Sequence, residues 1–300
     1  MIRHFLQLKD LSLSEYAYLF ERAAQIKREE SIGGSDNKCL LNKVVTLIFD
    51  KHSTRTRMSF EVGVRQLGGQ VVFLEGRTTQ LARGESVKDS AKIIGAASDA
   101  IVLRTGPHQI VEEFSRFCAV PLINGLSDEY HPCQVASDIM TFTELRGKIE
   151  SRKVTWIGDT NNMLMTWLQA SKLFGFELCI SSFKKGKLGV GPSDNCSFYS
   201  NPIEACYQSD LIVTDVWVSM NDGAKRGEAK TKSKLQMWKV SEEAMAAAKP
   251  DALFFHCLPS HIGEEVSQSV IEGPKSVVYF EALNRISFQK ALIEYVCLLH

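Results

Sequence analysis

Five short stretches of this 300-residue chain carry groups able to bind an anion, polarise a carbonyl or hold an amine. The first, Ser53-Thr54-Arg55-Thr56-Arg57, follows the apolar run VVTLIF (44–49). Hydroxyls and backbone N–H groups at a helix start, where the dipole is positive, suit a phosphate. Arg55, and Arg104 at the end of AIVLR (100–104), add guanidinium groups that grip its oxygens two at a time. The same pentapeptide also describes a capped surface helix with solvated arginines.

The second, His131-Pro132-Cys133-Gln134, reads as a turn set by Pro132. His131 can donate to a carbonyl oxygen and Gln134 can read an amide; a structural histidine is the plainer alternative. In Gly158-Asp159-Thr160-Asn161-Asn162, Asp159 or Thr160 reads as a helix cap, which leaves Asn161 and Asn162 as candidate ligand donors. Asp215-Val216-Trp217-Val218-Ser219-Met220 offers a carboxylate for an ammonium and a hydroxyl four residues on, or an edge strand with a buried Trp217. Cys257, in His256-Cys257-Leu258-Pro259, is a thiol at a strand end. Most lone cysteines are inert, so its position carries more weight than its chemistry.

Those stretches sit after apolar runs of strand length. The strands expected are 44–49, 71–74, 100–104, 120–124, 153–158, 177–181, 211–216, 252–257 and 277–281. Most are continuously apolar, as parallel strands covered on both faces are. Helical patterns such as SVKDSAKIIGAAS and NMLMTWLQASKLFG alternate with them. That alternation predicts an α/β fold of two doubly wound parallel-sheet domains. A helix over 135–150 joins domain 1–134 to domain 151–285, and a C-terminal helix, 286–300, packs back on the first. Within that last segment Ile286, Leu292, Ile293, Val296 and Leu299 form an apolar stripe. The stretches 184–202 and 219–234 read as loops. Ligands of open α/β sheets bind at the carboxyl ends of strands. The five stretches are therefore expected to surround one crevice between the domains.

Composition narrows the partners. The chain is 44% apolar and 23% charged, with 35 basic and 35 acidic residues. A net charge of zero argues against nucleic acid or a membrane surface, which select a basic excess. A local arginine cluster suits a small anion. Eight scattered cysteines without a CxxC pair, and an N-terminal segment lacking an apolar core of signal-peptide length, fit a reducing cytoplasm. No GxxxxGK phosphate loop and no GxGxxG dinucleotide turn is present, so ATP and NAD are not expected. No cofactor is expected, and no metal-ligand spacing is visible.

Together STRTR, HPCQ, GDTNN, DVWVSM, HCLP and FEALNR stand in an order and spacing that resembles the aspartate/ornithine carbamoyltransferase family, nearest its ornithine branch. The resemblance runs from near residue 40 to the C-terminus. It implies carbamoyl transfer from carbamoyl phosphate to the δ-amine of L-ornithine, giving L-citrulline and phosphate, in a homotrimer with sites at subunit interfaces. It assigns Ser53, Thr54, Arg55 and Thr56 to the phosphate and shares Arg104 between phosphate and carbonyl. His131, Pro132, Cys133 and Gln134 surround the carbamoyl group, and Gln80 reaches a neighbouring subunit's site. Asn162, Asp215, Ser219 and Met220 hold ornithine; Cys257, Leu258 and Arg285 close around the carbamoyl group and the reacting amine. Arg57 is expected to support structure. Asn221 stands where the family has glycine, in a loop that favours positive φ; asparagine is the next most tolerant residue there.

Three needs follow for such a reaction. A leaving phosphate with two negative charges needs cations, here Arg55, Arg104 and Arg285. The carbonyl oxygen gains charge, so Thr56, Arg104 and His131 are candidate donors. An amine of pKa about 10.4 must be neutral to attack, and Asp215 beside Cys257, a thiolate if arginines are near, is placed to help. The alternatives are a carbamoyltransferase for putrescine, acylated ornithine or aspartate, and a non-catalytic homologue that only binds ligand.

Overall fold

The computed structural model describes residues 2–32, 38–184, 195–217 and 235–298. Two compact units are present: residues 1–140 with 283–300, and residues 141–282. Both divisions fall inside helices, so the chain passes between units without a loop.

The first unit is built on a parallel sheet of β1 (Val44–Phe49), β2 (Gln70–Glu75), β3 (Ala100–Arg104) and β4 (Leu122–Leu126), in the order β2-β1-β3-β4. Helices α1 (Leu13–Ser31), α2 (Thr54–Gln66), α3 (Val87–Ala96), α4 (His108–Phe117) and α5 (Pro132–Arg146) complete its order up to the first division. Ser12 and Glu15 cap α1 reciprocally, each side chain accepting the other's backbone N–H. Ile48, Ile101, Leu103 and Leu122 of the sheet pack against Ala91, Val111 and Phe114 of α3 and α4.

The second unit has β5 (Lys153–Gly158), β6 (Glu177–Ser182), β7 (Cys196–Phe198), β8 (Leu211–Thr214) and β9 (Leu253–His256), all parallel, in the order β7-β6-β5-β8-β9. Its helices are α6 (Asn162–Phe174), α7 (Pro202–Cys206), α8 (Glu242–Ala247) and α9 (Gln268–Ile271). Ile157, Ile212 and Phe254 pack there against Ala244, Met245, Val270 and Ile271. The final helix, α10 (Val278–Leu298), runs through the second division.

In each sheet the winding direction reverses once, between β1 and β3 and between β5 and β8. Strand ends at such a reversal splay their following loops apart and leave room for a ligand. STRTR follows β1 and Arg104 ends β3; GDTNN begins at the end of β5 and Asp215 follows β8.

The two-sheet α/β fold agrees with the sequence reading; four local expectations do not. Residues 277–281 are not a strand, because Val278 already begins α10. The β-branched, aromatic composition there is overridden by its place in the first turn of a long helix, with Tyr279 exposed and Phe280 half-buried. The fifth strand of the second sheet is instead β7, in a stretch read as loop, held by pairing along β6 from Leu178↔Cys196. The strand expected at 120–124 spans Leu122–Leu126. Pro132 does not set a turn: it is the first residue of α5, where its missing N–H costs nothing.

The C-terminal helix does pack on the first unit. Ion pairs Arg22–Glu294 (2.9 Å) and Lys290–Glu30, and hydrogen bonds from Tyr295 to Glu15 (2.6 Å) and Lys27 to Asn284 (2.9 Å), tie it to α1. Leu292, Ile293 and Val296 are buried, Ile286 is half-buried, and Leu299 lies outside the described residues.

Candidate active site

The first cluster gathers where β1 hands over to α2. Ser53 caps α2, its Oγ accepting from the Thr56 N–H at 3.2 Å, so the first-turn N–H groups of α2 face the end of the strand. Thr56 is buried and Thr54 exposed; Ser53 and Arg55 are half-buried. Thr56 Oγ1 receives Arg285 Nη2 at 2.8 Å and Arg104 Nη1 at 3.5 Å. Both arginines are almost wholly buried, at 2% and 4% exposure, which decides against solvated surface cations. Arg285, placed with the second domain by its sequence position, lies in the first unit, on α10.

His131 is buried in the same unit. Burial pushes its pKa well below the usual imidazole range, and the charges of Arg285, Arg104 and Arg55 push it further the same way. The ring is therefore neutral near pH 7 and able to donate one hydrogen bond without adding charge. Cys133 is buried, its thiol pushed up to about 12 by desolvation, so it is inert packing. Gln134 Nε2 donates to Asp138 Oδ1 at 2.8 Å, both groups buried. Arg57 is exposed, stacked over Phe73 at 3.6 Å and near Glu61 at 3.4 Å, and belongs to the surface of α2 and β2. Gln80 is exposed, between two short 3-10 turns at 76–78 and 81–83.

The second cluster lies at the end of β5 and β8. Asn161, not Asp159 or Thr160, caps α6; its Oδ1 accepts from the N–H groups of Met163 (3.0 Å) and Leu164 (3.2 Å). Asp159 pairs instead with Lys184 at 2.7 Å. The other end of the Asn161 amide donates to Asp215 Oδ2 at 2.7 Å. Asp215 Oδ1 accepts the Val216 N–H (2.8 Å) and the Cys257 thiol (3.3 Å). The partner of Cys257 described here is thus a carboxylate, and a thiol proton between sulfur and oxygen removes the repulsion two anions would feel.

Leu258 has φ 55°, a left-handed value that costs a γ-branched residue energy. Its N–H donates to His256 Nδ1 at 2.9 Å, and His256 Nε2 faces Glu265 Oε1 at 3.2 Å. Glu265 also accepts the His261 N–H at 2.6 Å, so one buried carboxylate braces the loop after β9 at two points. Asn162 is buried beside the cap; Ser219, Met220 and Asn221 lie outside the described residues.

Two groups of potential metal ligands occur among the described residues, Asp215-His256-Cys257 and His261-Glu264-Glu265, each with ligand atoms within 4.8 Å. Neither was visible as a sequence spacing. In the first, both His256 nitrogens are engaged by Leu258 and Glu265, which leaves the imidazole no lone pair to offer.

The aspartate/ornithine carbamoyltransferase pattern matches in two parts: the carbamoyl-P binding domain over residues 3–144 and the Asp/Orn binding domain over residues 150–296. The chain belongs to the aspartate/ornithine carbamoyltransferase family. An ornithine carbamoyltransferase of Paracidovorax citrulli is 48% identical over 302 residues, covering 99% of this chain and 97% of that protein. The crystal structure of ornithine carbamoyltransferase from Burkholderia thailandensis aligns with TM-score 0.89 at 45% identity, over 99% of both chains. The enzyme from Pyrococcus furiosus aligns with TM-score 0.87 at 35% identity, over 97% of this chain and 96% of that one. Among the described residues no helix is long and apolar enough to cross a membrane.

Seen as a carbamoyltransferase, the chain brings Thr56, Arg104, Arg285 and His131 together in one unit, and Asp215 and Cys257 in the other. Two residues were missed in the sequence and a third was given another role. Asp138 stands four after Gln134 on a helix, a spacing that puts the two on one face and was readable. Asn161 was seen as a ligand donor but not as cap and carboxylate partner. Glu265 had no signal, since its contacts are set by the path of the loop.

Proposed function

We propose that this protein transfers the carbamoyl group of carbamoyl phosphate to the δ-amine of L-ornithine, giving L-citrulline and phosphate. The carrying observation is the buried meeting of Arg104 and Arg285 on Thr56, beside the N-terminus of α2 and a neutral His131. Buried guanidiniums and helix N–H groups suit an anion with two negative charges.

In this reading Ser53, Thr54, Arg55 and Thr56 hold the phosphate, and Arg104 spans phosphate and carbonyl. Each charge-assisted contact is worth roughly 1.5–3 kcal/mol, so the arginines jointly lower the leaving-group barrier by several. Thr56, Arg104 and neutral His131 supply donors for the carbonyl oxygen as it gains charge. Gln134 accepts from the carbamoyl NH2, with Pro132 and Cys133 shaping the wall and Leu258 and Arg285 closing the site. Asp215, oriented by Asn161, receives the ornithine amino group with Asn162, Ser219 and Met220. The δ-nitrogen bonds to the carbamoyl carbon, the bond from that carbon to the phosphate oxygen breaks, and phosphate leaves with the electron pair. The amine's proton passes to Asp215, with Cys257 as its hydrogen-bonded neighbour.

The resemblance also supports a homotrimer in which exposed Gln80 serves a neighbouring subunit, and sedimentation of wild type against Gln80→Ala enzyme mixed with an inactive partner tests it. The described eight free cysteines support a reducing, cytoplasmic setting. The reaction is tested by measuring citrulline with ornithine, putrescine, N-acetylornithine and aspartate in turn. Citrulline from ornithine, with little product from the others, is expected; a faster reaction with any other amine would overturn the assignment.

A further inference from the structure

Gln134 has two chemically opposite ends, and its structure decides which end does what. Nε2 donates to Asp138 Oδ1 at 2.8 Å, one turn further along α5. Oε1 is buried without a hydrogen-bond partner among the described residues. Gln134 and Asp138 are each 1% exposed, so water cannot exchange the two ends freely. An ionised carboxylate offers only acceptors, so in that state Asp138 selects the amide's donor end. The acceptor end is left without an N–H from the described residues.

Asp138 forms no ion pair among the described residues and pays for burial, its pKa pushed up to about 7 by desolvation against the pull of Gln134 and Arg285. An apolar residue would fill the position at lower cost. The charge of Arg285 bears on Asp138 and on His131 alike, which puts the pair beside the groups assigned to carbamoyl phosphate.

We propose that Asp138 is a positioning residue that locks the Gln134 amide with Oε1 toward the carbamoyl NH2, and so sets the preference for a carbamoyl over an isosteric acyl group. This rests on the carbamoyl-phosphate reading above. Acetyl phosphate carries a methyl where carbamoyl phosphate carries NH2, and it needs nothing from Oε1. A site built to pair with a substrate N–H rejects the analogue lacking it.

The test compares the KM for carbamoyl phosphate with the inhibition constants of acetyl phosphate and inorganic phosphate, in wild type, Asp138→Leu and Asp138→Asn. In Asp138→Leu the KM should rise about tenfold or more while both inhibition constants stay within about twofold. Asp138→Asn offers a donor as well as an acceptor, no longer selects one end of Gln134, and should lose part of the wild-type ratio. Equal weakening of all three ligands in Asp138→Leu would mark a merely structural role and overturn the proposal, as would no change at all. Should Asp138→Leu not fold, Gln134→Met and Asp138→Ala replace it; both must lose the same discrimination, and its survival in either overturns the proposal. A wild-type protein indifferent to the two acyl phosphates would instead sink the carbamoyl-phosphate reading itself, and this inference with it.

Discussion

The polar cluster at the reversal of the first sheet is cationic, and the one at the reversal of the second is anionic, although both sheets wind by the same rule. In the first, two buried guanidiniums share one threonine hydroxyl beside a helix N-terminus. In the second, the helix N-terminus is already capped by Asn161, and the amide's spare end is turned onto Asp215. The difference teaches that strand topology supplies the location while the cap decides the sign. Ser53 satisfies a single N–H and leaves the rest of the first turn of α2 available to an anion. Asn161 satisfies two at α6, and what remains is a carboxylate suited to a cation.

That contrast can be broken by removing charge from each cluster in turn. Arg104→Ala should lower kcat/KM for carbamoyl phosphate by roughly 10²–10³-fold, as loss of a donor to developing charge does, and leave ornithine affinity little changed. Steady-state kinetics with each substrate varied would read it; a folded variant within a few-fold of wild type would remove the cationic cluster from the mechanism. Asp215→Asn should do the opposite, raising the ornithine KM by about 10–100-fold while phosphate binding, followed by calorimetry, holds. Equal losses for both substrates would erase the distinction drawn between the clusters.

A third effect appears in stability. The carboxyl of Asp138 has its pKa raised by burial from 3.8 to about 7 in the folded protein. Between those values the native state binds more protons than the unfolded chain, so stability falls as pH rises through the window and levels off above it. Chemical denaturation at pH 4.5 and pH 7.5 should show this decline in wild type and a flatter profile in Asp138→Asn; identical slopes would mean the acid is not perturbed. The smallest effect sharpens the role of the cap. Asn161→Ala should cost about 1 kcal/mol of stability, whereas Asn161→Ser should keep most of the cap and still lose the donor to Asp215. Thermal melts alongside ornithine KM values separate the two, and a serine variant with unchanged KM would show that Asp215 needs no orienting partner.

Much of this was readable in the chain. Continuous apolar runs such as VVTLIF and KVTWIG are strands, as short runs covered on both faces of a parallel sheet are. The hydroxyls and arginines after the first run marked a candidate anion seat. Other parts were illegible for a physical reason. VVYFE has strand-like composition, yet it starts the helix whose later turns lie against α1. Cys196–Phe198 is a strand because β6 offers it a hydrogen-bonding edge, not because of its own propensity.

By itself the sequence determined the alternation of strand and helix, the balance of 35 basic and 35 acidic residues, and which residue types stand at strand ends, because these depend on local pattern and composition. Only the tertiary structure decided which strand ends are neighbours, that Arg285 joins Arg104 on Thr56 from 229 residues away in the chain, and which end of Gln134 is free. Sheet order and buried hydrogen-bond partners are set by long-range packing, and no window along the chain contains both members of such a pair.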